Sequence, residues 1–144
     1  MYKLNESKMF ADVTNNVAII INSETGIYYG INNCGSIIFQ NIIDGCSIQS
    51  IIENLKKIET CPSDIEEKVK SFIDDLLNKE IIVEGEQNPK VPNIDENVVK
   101  QDNFEMKVSE YADAQDMLLA DPIHDVNAEE GWQPVVKEEE KNDK

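Results

Sequence analysis

Three cysteines, one histidine and a few adjacent carboxylates are the reactive side chains of this 144-residue chain. Cys34, Cys46 and Cys61 are odd in number, lie 12 and 15 residues apart and form no CxxC pair. That pattern is neither a disulfide framework nor a zinc site, and it reads as reduced thiols in a reducing, cytoplasmic compartment. His124 stands in a stretch with no apolar period, and Asp74 and Asp75 are neighbours whose side chains diverge on a helix. No Ser/His/Asp set, HExxH or glycine-rich phosphate loop occurs. The expectation is a chain that is not an enzyme and uses no metal or cofactor.

What remains is the chemistry of the main chain, which becomes available where a strand has an open edge. Residues 9–13 form a short apolar run, and Val17, Ala18, Ile19, Ile20 and Ile21 form a compact β-branched one. Ser23, Glu24, Thr25 and Gly26 supply a turn, with Gly26 suited to positive φ. Residues 27–31 then alternate, with Ile27, Tyr29 and Ile31 on one face and Tyr28 and Gly30 on the other. These pieces predict a three-stranded antiparallel meander whose third strand is an edge.

Three helices follow. Asn32 or Asn33 can cap the first, which buries Cys34, Ile38, Phe39 and Ile42 and ends at Asp44 and Gly45. Ser47 caps the second, where Ile48, Ile51, Ile52 and Leu55 keep helical spacing. Pro62 and Ser63 open the third, with Asp64, Glu66 and Glu67 in its first turn and a stripe of Ile65, Val69, Phe72, Ile73, Leu76 and Leu77. Residues 81–83 read as a brief apolar exit, one more short strand. The fold class is α+β and winged-helix-like, with the domain at residues 1–83.

Charge narrows the partners. The chain has 29 acidic residues against 13 basic ones, net -16, and every basic residue is a lysine. Such a surface repels phosphate backbones, so no nucleic acid is expected. No apolar run reaches the ~20 residues that span a bilayer, and no signal peptide opens the chain, so no membrane is expected either.

The ordered residues Ile27, Tyr28, Tyr29, Gly30, Ile31 and Asn32, then Gly35, Ile38, Phe39, and Ile42, Ile43, Asp44, Gly45 resemble the PqqD family, whose signature runs YYxLN, G, IW and LLDG. Ser47, Ile51 and Ile52, and the stretch from Phe72 and Ile73 through Ile81 and Ile82, stand where the family carries its capped second helix and amphipathic third helix. The resemblance covers residues 9–83. Asn41 departs from the pattern, standing where an apolar or long residue is usual. The resemblance implies a peptide-recognition element that binds the leader of a ribosomally made precursor and presents it to a modifying enzyme, often a radical SAM protein. The leader would pair with Ile27, Tyr28, Tyr29, Gly30 and Ile31 and lie along the third helix, where Lys68 and Lys79 can meet acidic leader residues.

Residues 84–144 are acidic and read as a largely disordered tail. Within 111–134 the apolar anchors Tyr111, Met117, Leu118, Leu119, Ile123 and Trp132 suggest a docking motif, with a helix from Tyr111 to Ala120. The tail can bind a partner enzyme, or imitate a leader and occupy its own groove. Two other readings are a winged-helix transcription regulator, which the acidic third helix disfavours, and a recognition domain fused to its own substrate. Residues 112–144 hold no Cys, Ser or Thr, which excludes thioether or azole chemistry there.

Overall fold

The computed structural model describes residues 1–112. Among these residues the fold is α+β, with two antiparallel sheets and four helices. Strand β1 (Tyr2–Leu4) comes first, then β2 (Met9–Thr14) and β3 (Val17–Asn22), which pair from Met9↔Asn22 to Thr14↔Val17. Asn15 and Asn16 join them, with φ of 54° and 61°. Two successive left-handed residues make a tight hairpin whose twist matches the strands, and asparagine tolerates that backbone. The next turn is built on Asn22, whose side-chain oxygen accepts from the N–H groups of Glu24 and Thr25, and Gly26 takes φ 78°. Strand β4 (Tyr28–Ile31) pairs with β3. Ile27 precedes the strand and is half-buried against the core, so the expected five-residue strand is shorter by one.

Helices α1 (Asn33–Asp44), α2 (Ile48–Lys56) and α3 (Ile65–Asn78) lie where periodicity and caps put them. Asn32 caps α1 by accepting from Gly35 N–H, and Ser47 caps α2 by accepting from Ser50 N–H. Gly45 ends α1 in the left-handed region at φ 113°. The core is filled by Ile20 and Ile31 from the sheet, Ile38, Phe39 and Ile42 from α1, Leu55 from α2 and Leu76 from α3, all fully buried.

Three features depart from the sequence expectation. First, β5 (Ile82–Glu84) pairs with β1 as a separate two-stranded sheet. Second, the main sheet has four strands, in the order β2-β3-β4-β6, where β6 is Val108–Tyr111. Third, structured chain continues past the expected boundary at residue 83. Asn93 N–H donates to the Asn41 side-chain oxygen at 2.7 Å, and the Asn41 amide donates to Asn93 O at 3.1 Å. The apparently misplaced polar residue of α1 therefore pins the returning chain. Helix α4 (Glu96–Gln101), capped by Asp95, then buries Val99 completely, and Phe104 is only 3 % exposed. Asn103 and Phe104 take φ of 53° and 62°, reversing the chain into β6. Tyr111 is the last residue of that strand, and residues 113–120 of the expected helix lie outside the described residues.

Candidate functional site: the outer edge of strand β4

Strand β4 has β3 on one side. On the other side it would be an edge, as the sequence suggested, but the chain's own β6 lies there, antiparallel, in the register Tyr28↔Tyr111, Tyr29↔Glu110, Gly30↔Ser109 and Ile31↔Val108. Just beyond, Asn32 N–H donates to Lys107 O at 3.2 Å. Antiparallel pairs alternate between hydrogen-bonded and non-bonded. Counting back from Asn32, Gly30 with Ser109 and Tyr28 with Tyr111 are the bonded pairs. The opposite side agrees, since Asn22 N–H donates to Ile27 O and leaves Tyr29 and Ile31 bonded towards β3. The N–H groups of Tyr28 and Gly30 thus face the outer edge. At the far end, Ser36 hydroxyl wedges between β3 and β4, accepting from Ala18 N–H and donating to Ile31 O.

Asn32 is the hub where strand, helix and incoming segment meet. Its side-chain oxygen accepts from Gly35 N–H and from Lys107 N–H at 2.9 Å, and its amide donates to Glu105 O at 2.8 Å and to Asp102. Asp102 also accepts from Cys34 N–H at 2.9 Å, placing a carboxylate at the positive end of α1. Gly35 is required by space: a Cβ there would stand 2.6 Å from Ile31 Cγ2 and 2.7 Å from Asn32 Oδ1.

Helix α3 forms the second wall. Between it and the segment ahead of β6 runs an open groove lined by Lys68, Ser71, Phe72, Asp75, Asn78 and Met106, among others. Lys68 is bonded to the Glu105 carboxylate, and that hydrogen bond holds its amine above the ordinary lysine value of 10.5. Lys79 pairs with Asp75 one turn away at 2.8 Å. Burial raises the Tyr29 hydroxyl above its ordinary pKa, Glu110 adds to the rise, and Lys79 opposes it. Lys68 and Glu105 line the groove itself, whereas Glu110 and Lys79 lie near Tyr29.

The structure thus brings Tyr28, Tyr29, Gly30 and Ile31 together with Lys68 and Lys79 around one edge and one helix face, with Ile27 just ahead of them. Tyr111 joins them as the last residue of β6, opposite Tyr28. Met117, Leu118, Leu119, Ile123 and Trp132 lie outside the described residues. Sequence reasoning passed over Asn32 as more than a cap, and over Asp102, Glu105 and Met106. The one available signal was the buried polar position Asn41, which needed a partner from elsewhere in the chain.

The thiols are poor nucleophiles. Burial, with Asp102 nearby, pushes Cys34 up to about 12, and burial also raises Cys46 and Cys61. Among the described residues, no three His, Cys, Asp or Glu side chains are grouped to hold a metal ion, and no helix is long and apolar enough to cross a membrane.

An antiparallel sheet edge beside an amphipathic helix defines a class of small modules that take extended peptides by strand addition. Residues 18–82 match the family model of the coenzyme PQQ synthesis protein D, PqqD. The domain that they form belongs to the PqqD family, whose members are non-catalytic, peptide-binding accessory proteins of PQQ and ribosomal-peptide biosynthesis. No curated protein and no solved structure matches the chain.

Proposed function

We propose that this chain is a cytoplasmic leader-binding module, which holds the leader of a ribosomally made precursor as an added strand on β4 and presents the precursor to a modifying enzyme of the radical SAM kind. The observation that carries the reading is that the outer edge of β4, next to α3, accepts an extended antiparallel segment, as β6 does in cis. Tyr28 and Gly30 supply the main-chain groups, and each bond formed contributes about 0.5–1.5 kcal/mol net. Tyr29 and Ile31 hold the strand to the core, Ile27 anchors its start, and Lys68 and Lys79 select acidic side chains. The three-strand meander followed by three helices is read as winged-helix-like, with α3 where a regulator would present a recognition helix. Glu66, Glu67, Asp74 and Asp75 make that helix unsuited to DNA. In this reading the segment 111–134, whose first residue Tyr111 is paired in β6, docks the modifying enzyme.

The test is calorimetric titration of the full chain with the leader and, separately, the core of the precursor peptide encoded beside it. Saturable binding of the leader and none of the core is expected. Equal binding of both, or of neither, contradicts the reading.

A further inference from the structure

The segment 105–111 does more than fill a vacant edge. It makes the ladder to β4, its entry is clamped by three hydrogen bonds from the Asn32 side chain and main chain, Met106 lines the groove and Glu105 meets Lys68. Its chemistry also matches the walls. Ser109, small, stands opposite Gly30, and Val108 opposite Ile31 packs against the core. Glu105 is ion-paired with Lys68, and Glu110, five residues on, stands opposite Tyr29 in the ladder. Lys79, just past the end of α3, is paired with Asp75.

We propose that residues 105–111 are a built-in surrogate of the peptide that this edge takes. The site rests self-occupied, and a peptide in trans binds by displacing β6. That peptide is an extended acidic segment with two carboxylates five residues apart, an apolar residue next to the first, and a β-branched and a small residue between them. The inference rests on the leader-binding reading for its biological partner but not for its chemistry. A tethered segment competes at an effective concentration of about millimolar or higher, so self-occupancy weakens every competitor by a common factor.

The probe is a fluorescent peptide with the sequence of residues 102–112, added to the full chain and to its Ser109→Pro variant, followed by anisotropy. Proline at 109 removes the donor to Gly30 without altering a buried apolar side chain. The variant is expected to bind the probe at least tenfold more tightly than the unaltered chain. A probe in which both glutamates are replaced by glutamine is expected to bind the variant several-fold more weakly than the original probe, with the difference shrinking as salt rises. Equal affinity for variant and unaltered chain overturns self-occupancy; equal affinity of the two probes overturns the acidic specificity. Should Ser109→Pro fail to melt cooperatively, Glu105→Gln leaves the backbone intact and decides the matter, with a gain of about two- to fivefold expected and no gain contradicting the latch. Failure of the precursor leader to bind while the probe binds would sink the leader reading alone. Leader binding that is equally tight to both forms of the chain would sink self-occupancy alone.

Discussion

At the residue scale, small groups matter because so many contacts converge on them. Gly35 lets α1 start directly under β4, with Asn32 turned back to cap it. Gly35→Ala forces Ile31 or Asn32 to move, and over-packing of this kind costs about 1–3 kcal/mol. A lowered thermal midpoint is expected in circular dichroism, with an unchanged midpoint contradicting the close approach. The thiols offer a second check. Cys34 is 1 % exposed and Cys46 is 3 % exposed, whereas Cys61 is only half-buried. Cys61 is expected to react first with Ellman's reagent at pH 8 in the native protein, and Cys34 only on unfolding. Early modification of Cys34, located by mass spectrometry, would show that the N-terminus of α1 opens readily.

The element scale separates what was legible in the sequence from what was not. Ser47, Asn32 and Gly45 announce helix ends by local chemistry, and the stripe from Ile65 to Leu77 announces a buried face by period alone. Such signals lie within one element, so the three helices and the meander are readable. Strand β6 is different. Val108, Ser109, Glu110 and Tyr111 are four residues in an acidic stretch, and they become a strand only because β4 presents its edge about 80 residues earlier in the chain. Composition pointed to disorder there, and tertiary pairing overrode it. The same holds for α4, too short to be stable alone and fixed by burial of Val99. If residues 95–104 belong to the cooperative fold, Phe104→Ala should lose about 3–5 kcal/mol in urea denaturation, with a single transition. A loss below about 0.5 kcal/mol would return the domain boundary to residue 83.

At the scale of the whole molecule, an acidic chain whose basic side chains are lysines carries a domain in which the outer side of β4 is already paired by β6. The charge of -16 gives a simple exclusion. No binding to duplex DNA is expected in a mobility-shift experiment at micromolar protein and physiological salt, and salt-sensitive binding would contradict it. The pH behaviour of the latch has a definite sign. Lys68 is raised in the folded state, so what its pairing with Glu105 contributes is present below the ordinary lysine value of 10.5 and lost as pH rises above it. Lys68 should therefore remain charged, and its part of the latch unchanged, between pH 7 and 9.

The most direct measurement is residue-resolved amide hydrogen exchange on the full-length Ser109→Pro variant, with and without the precursor leader. The account expects Tyr28 and Gly30 to exchange faster in the variant than in the unaltered chain and to regain protection when the leader is added. Ile19 and Ile21, which pair with β2, should change little. Leader-induced protection that appears elsewhere and leaves Tyr28 and Gly30 in fast exchange would contradict strand addition at β4.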